Sequence, residues 1–231
     1  MTTGKGRAVR HFIEELHDLQ NKLLEMGGLV EAAIHRSVLC LVDRDEAMAQ
    51  EVLQNEARIN QMEIENDDAS VRLLALHQPM ASDLRFLTAA IKINTDLERM
   101  GDLAVNIVER SLSLMRQEPV KPLIDIPEMA RMAESMVHRS LDAFVRRDGE
   151  LAREVLLSDD AVDDLLGAIW EELVAFMERD PATVSRSVDL LLVARNPERI
   201  ADHATNIAED VLFLVQGIDV RHHAEARGNL M

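Results

Sequence analysis

The sequence predicts an all-α protein built as two tandem antiparallel three-helix bundles, six long helices in all. Three observations predict it. Apolar residues recur at spacings of three and four through most of the 231 residues, as they do in helices that bury one face. The chain is 47% hydrophobic but only 3% aromatic, with no tyrosine, so Leu, Ala, Val, Ile and Met must fill the interior, which suits helix-on-helix packing. The third observation is a phrase written twice. Residues 98–110 read ERMGDLAVNIVER and residues 198–210 read ERIADHATNIAED, identical at seven of thirteen positions. Such self-similarity marks an internal duplication.

The first helix covers about 12–41, where Phe12, Leu16, Leu19, Leu23, Met26, Val30, Ile34, Val38 and Leu41 form one stripe. The second covers about 45–77. There Met48, Val52, Ile59, Met62, Ala69, Leu73 and Leu76 share a heptad stripe that Asn55 and Asn66 interrupt. The third starts near Pro79 and Asp83 and runs to about Met115; a proline suits a first turn, where its missing N–H goes unneeded. Three prolines within 118–127 mark the one clear linker. The second half repeats the plan with helices at about 127–147, 149–178 and 181–216, with Pro181 at a start and Gly217 at a stop. His35-Arg36-Ser37 matches His138-Arg139-Ser140, and Glu51-Val52-Leu53 matches Glu154-Val155-Leu156, at an offset of 103, whereas the acidic phrase matches at 100. About three residues were therefore lost near the turn between the last two helices. The expected organisation is a first bundle at 1–118, a Pro-rich linker at 119–127, a second bundle at 128–217 and a tail at 218–231.

Composition narrows the function. A formal net charge of −17 repels nucleic acid and anionic lipid and attracts cations and basic protein surfaces. A single cysteine, Cys40, permits neither an internal disulfide nor a cysteine metal cage, which fits a reducing compartment. The opening MTTGKGRAVRHFIEEL has no apolar stretch of the secretory kind, and no run approaches the ~20 apolar residues of a membrane span. A cytoplasmic location without direct membrane insertion is expected.

The duplicated phrase also carries charge. Glu98, Asp102, Asn106 and Glu109, and likewise Glu198, Asp202, Asn206 and Glu209, follow spacings that put side chains on one helix face. The preceding helix of the second half adds Asp159, Asp160, Asp163 and Asp164 as interlaced i,i+4 pairs; the aligned residues in the first half are Glu56, Ala57, Asn60 and Gln61. Like charges at i,i+4 cost a helix a few tenths of a kcal/mol per pair. Stacking them on two neighbouring helices multiplies the cost, which a bound cation would relieve. Two readings stand side by side: a solvated acidic face, or a cation site. Arg99 and Arg199 are placed to neutralise part of the charge. His203, next to Asp202, is a weaker candidate fifth ligand whose counterpart is Leu103. The only Glu-x-x-His, Glu14 to His17, is one motif where a carboxylate-bridged di-iron bundle needs two. No glycine-rich phosphate loop, Gly-x-Ser-x-Gly elbow or His-Glu-x-x-His occurs, so an enzyme is not expected.

The stretches HQPMASDLRFLTAAIKINTDLERMGDLAVNI (77–107) and NPERIADHATNIAEDVLFLVQG (196–217) resemble the two signature regions of the PhoU family, and the resemblance spans about 8–217 with the duplication included. It implies two three-helix bundles and a cytoplasmic, often homodimeric, protein. It implies a non-enzymatic regulator that restrains phosphate uptake and the starvation response when phosphate is plentiful, by contacting the ATPase of the phosphate ABC transporter and a phosphate-sensing histidine kinase. Some family members hold multinuclear iron or zinc through acidic Glu/Asp-x-x-x-Asp motifs. Carried onto this chain, the second bundle would use Asp159, Asp163, Glu198 and Asp202. The first would use Glu56, Asn60, Glu98 and Asp102, with Asn60 departing from the pattern because an amide is a neutral, weaker ligand. The alternative function is a metal-binding bundle that regulates or senses outside phosphate transport. A carboxylate-metal hydrolase or oxidase is the remaining class, and it requires an open coordination position in a pocket.

Overall fold

The computed structural model describes residues 3–218, with side chains from Arg10 onward; the expected tail lies outside the described residues except for Ile218. Six helices follow one another: α1 (Thr3–Asp43), α2 (Glu46–His77), α3 (Ser82–Leu114), α4 (Asp125–Arg146), α5 (Gly149–Arg179) and α6 (Val184–Gln216), the last entered through a 3-10 turn at Pro181–Thr183. No strand occurs among the described residues. Helices α1–α3 and α4–α6 each form an antiparallel three-helix bundle.

The duplication extends to the turns. Between α1 and α2, Arg44 takes a left-handed conformation (φ 55) and Asp45 caps α2 by accepting from the Ala47 N–H at 2.8 Å. Between α4 and α5, 103 positions on, Arg147 (φ 52) and Asp148 do the same, with Asp148 accepting from Glu150 and Leu151 at 3.1 Å. A left-handed turn residue followed by an Asp cap reverses the chain in two residues and satisfies the donors of the new helix.

The bundles are not beads on a string. Helix α3 packs along α6, and α1 along α4, so one apolar core runs through both halves. At the α1/α4 crossing the helices come close at Gly27, where a Cβ would collide with Leu141 Cδ1. The same crossing carries two reciprocal contacts: His35 lies 3.4 Å from Glu134, and His138 lies 3.2 Å from Glu31. Since 31 and 35 align with 134 and 138, each residue meets the counterpart of its own partner. That exchange is the signature of a local two-fold axis, here relating two halves of one chain.

Some local expectations differ from what is observed. Pro79 lies outside α3: Gln78 (φ 47) and Ala81 (φ 50) both take positive φ and turn the chain, so the helix starts only at Ser82. Helix α4 starts at Asp125, inside the expected linker, because Pro127 occupies its first turn, where no N–H is needed. Leu76 is not on the core stripe but 68% exposed; in the last turn of α2 it is His77 that meets α1, 4.7 Å from the Phe12 ring and 3.0 Å from Glu15. The connection 115–124 is also anchored. Val120 and Leu123 pack on the core, and Lys121, whose side chain is only 3% exposed, pairs with Asp125 at 2.7 Å and with Glu172.

Candidate functional site

The acidic residues gather in two grooves, one between α5 and α6 and one between α2 and α3. In the second bundle, Glu198 and Asp202 are one turn apart on α6 and face Asp159 and Asp163 on α5. Burial, then the charges of Asp202 and Asp163, push the Glu198 carboxyl above its ordinary range, with Arg195 opposing and Asp159 adding to the rise. Asp202 is exposed, yet partial burial is again the first cause that raises it, followed by Asp163; His203 and Arg199 oppose. These couplings place Asp159, Asp163 and Asp202 within the field of Glu198. Glu198 Oε2 is buried and has no hydrogen-bond partner.

The first groove is larger than the sequence motif suggested. Burial, then Asp102, Glu63 and Glu56, raise Glu98, with Arg99 opposing. Glu63 is itself raised by burial and by Asp67 and Asp102. Glu56, Asn60, Glu98 and Asp102 are all half-buried. Glu63 and Asp67 therefore belong to the cluster, and motif reasoning missed them. The signal was present: 56, 60, 63 and 67 advance by four, three and four and so share one face of α2. A buried asparagine ties this face to α3, with Asn94 Nδ2 donating to Asp67 Oδ1 at 3.0 Å and to the Glu63 carbonyl at 2.8 Å.

Other candidates go elsewhere. His203 turns away from the α5 carboxylates and sits 2.8 Å from Asp96 on α3, which also accepts from Asn206 at 3.4 Å. It therefore links the bundles. Arg99 lies 3.6 Å from its own neighbour Glu98 and is 60% exposed, a weak and screened pairing. Asn106 and Glu109 are exposed, whereas Glu209 is buried. A cleft of about 230 Å³ lies away from both grooves, at the connection 115–124. Its cations are engaged: Arg44 with the Leu114, Met115 and Gln117 carbonyls, Arg186 with the Glu118 carbonyl, and Lys121 with carboxylates.

The fit of a metal to these donors has two sides. In favour are four carboxylates in one groove, burial and repulsion that raise the proton affinity of Glu198 and Asp202, and the orphaned buried oxygen of Glu198. Against stands the spacing: among the described residues no group of three or more His, Cys, Asp or Glu is gathered closely enough to hold an ion. The donor set suits a metal in kind and charge.

One local device lies just before Glu198. Pro197 lies inside α6, and its missing N–H leaves the Val193 carbonyl without its usual donor. The Asn196 side chain substitutes, donating to the Leu192 carbonyl at 2.7 Å and the Val193 carbonyl at 3.4 Å. The first bundle has Asp96-Leu97 here and needs no such repair. Asn196→Ala is expected to lower stability by about 1–2 kcal/mol by stranding a buried carbonyl, measured by urea unfolding. An unchanged midpoint would mean that α6 tolerates the break unaided.

Comparison with known proteins completes the description. The PhoU domain family matches residues 23–111 and again 126–211. The phosphate-specific transport system accessory protein PhoU homolog of Pseudomonas aeruginosa is 41% identical over 214 residues, covering 92% of this chain and 88% of that protein. The protein of the same description from Aquifex aeolicus is 37% identical, covering 93% and 98%. The crystal structure of PhoU from Pseudomonas aeruginosa superposes with a TM-score of 0.87 at 40% identity, covering 90% of this chain and 100% of that one. That of the phosphate transport system regulatory protein PhoU from Streptococcus pneumoniae gives 0.83 at 28% identity, covering 90% and 99%.

Proposed function

Since the chain belongs to the PhoU family, we propose that it is a non-enzymatic accessory regulator of phosphate uptake. In this reading it restrains a phosphate ABC transporter and its sensor-kinase signalling when phosphate is plentiful, acting as an adaptor on the transporter ATPase and the kinase. The observation that carries the reading is likeness over nine-tenths of the chain, both bundles included, to proteins described as accessory to phosphate-specific transport. A basic partner surface would meet carboxylate-lined grooves. The protein would work in the cytoplasm as a homodimer, and no helix of the described residues is long and apolar enough to cross a membrane.

The non-enzymatic part rests on chemistry. Cys40, the one thiol, is buried and its pKa is pushed up to about 11, by burial first and by Asp45 next. A thiol so protonated at neutral pH is a poor nucleophile. The acidic grooves lie on the bundle surface, outside the cleft at the connection.

A metal is the second part of the proposal. Iron, zinc or another divalent cation would be held by Asp159, Asp163, Glu198 and Asp202. In the first bundle Glu56, Glu98 and Asp102 would serve, with Glu63 supplying the charge that Asn60 lacks. When bound, such an ion would supply positive charge between facing helices and brace each bundle; no reaction is assigned to it.

The test is deletion in the native cell. Radiolabelled phosphate uptake and starvation-gene expression are expected to stay high in phosphate-rich medium. Normal repression in the deletion strain would sink the phosphate reading. It would leave the alternative, a metal-binding bundle that regulates or senses elsewhere.

A further inference from the structure

The two bundles share one plan and depart from it along one groove. On α2 the groove face steps through Glu56, Asn60, Glu63 and Asp67. Their counterparts on α5, 103 positions on, are Asp159, Asp163, Leu166 and Trp170. At one end Glu56 and Asn60 are answered by two acids, and at the other Glu63 and Asp67 are exchanged for apolar residues. Trp170 is the only tryptophan of the chain, and it is 57% exposed. Helix α6 makes a matching change at one position, Val188. Helical steps of three and four back from Glu198 along the same face reach Arg195, Leu191, Val188 and Val184. Val184 and Val188 are each 41% exposed, and the counterpart of Val188 in the first bundle is Thr88. Because α5 and α6 are antiparallel, the two turns (~10.5 Å) from Asp163 to Trp170 lead toward Val188.

One groove thus presents carboxylates at one end and an exposed Trp-Val row at the other; the sister groove has Asp67 and Thr88 in the places of Trp170 and Val188, and keeps only Leu84 in the place of Val184. We propose that the α5/α6 groove is a docking surface for a cationic amphipathic helix of a partner protein. Its apolar residues would cover Trp170, Val188 and Val184, and its Lys or Arg residues would reach Asp159, Asp163, Glu198 and Asp202. Charge argues for this occupant. The acidic end sets four carboxylates against the guanidiniums of Arg195 and Arg199, so it keeps a negative balance that a cationic segment complements in the metal-free protein. The apolar end supplies what charge alone lacks. An amphipathic helix laid in a groove reads both, and an exposed tryptophan is the residue type most used as an interface anchor. The proposal deepens the adaptor reading by naming the chemistry of its partner. It is tested without transporter or kinase, so either idea can fail alone.

Trp170 is its own reporter. The full chain would be titrated at about 0.15 M salt, where exposed charges are screened beyond ~8 Å. The probe is a synthetic leucine–lysine helix with leucines at i, i+3 and i+4. A saturable one-to-one blue shift of Trp170 emission is expected, with none from the leucine–glutamate peptide of the same pattern. By calorimetry, Val188→Asp and Asp163→Asn should each weaken binding tenfold or more while circular dichroism stays native. The first-groove pair Glu63→Gln with Asp67→Asn should change it less than twofold. Absence of a shift would overturn the proposal. So would an equal loss from the first-groove pair, which would reduce binding to overall charge, or wild-type affinity in Val188→Asp.

Discussion

Replacing Phe144 with alanine is expected to remove about 3–5 kcal/mol of unfolding free energy, a large part of the roughly 5–15 kcal/mol that holds a domain together. Phe144 closes α4 and is 1% exposed. Its ring stacks on Phe86, near the start of α3, with centroids 5.4 Å apart and planes 16° from parallel. The two rings come from different bundles, so truncation removes apolar burial, leaves a cavity and deletes an aromatic contact at the junction. Smaller neighbours cannot refill the space, because the interior has few aromatic rings to redistribute. Urea unfolding followed by circular dichroism reads the effect as a lower midpoint. A midpoint within experimental error of wild type would mean that the junction is not part of the cooperative unit. The acidic grooves should keep any cation response, since neither ring borders them.

Neutralising the second groove is expected to act with opposite signs in chelator and in the presence of a cation. Glu198 and Asp202 have folded pKa values raised above their ordinary ones. The folded state therefore binds these protons more tightly than the unfolded chain does. At neutral pH, where both states are ionised, each group is a net penalty. The penalty is relieved as pH falls through the raised folded values and is absent below the ordinary carboxylate range of about 4. Their part of the stability thus rises on mild acidification from pH 7. In chelator at pH 7, Glu198→Gln with Asp202→Asn should stabilise the protein by about 0.5–1 kcal/mol, small because solvent screens both groups, and should flatten that rise. A cation at a hundred times its dissociation constant would add about 2.7 kcal/mol to the wild type and nothing to the variant. Melting temperatures with and without iron, zinc, manganese or magnesium measure both arms. A variant destabilised in chelator would contradict the repulsion argument. A wild type indifferent to every cation would remove the metal.

The site divides in the same way between what is local and what is not. Spacing offered two interlaced pairs on α5, Asp159 with Asp163 and Asp160 with Asp164, and the family resemblance selected the first; the coupling of Asp159 and Asp163 to Glu198 follows from α5 lying against α6. Glu63 and Asp67 followed the same rule but lay outside the motif, and their coupling to Glu98 and Asp102 emerged only with α2 laid on α3. His203, the weaker candidate, is placed by helical geometry rather than by adjacency. It neighbours Asp202 in sequence, but a helix turns 100° per residue, and that turn carried it to Asp96 in the other bundle.

The sequence by itself determined the helices, their number, the duplication and the acidic face of each, because periodicity and i,i+4 spacing are properties of a single helix. Tertiary structure alone decided how the two bundles meet. It set α3 along α6, crossed His35 and His138 onto each other's glutamates, and left Trp170 in the open on α5. Those outcomes depend on which apolar stripe finds which, across a hundred residues of chain, and no local pattern encodes that choice.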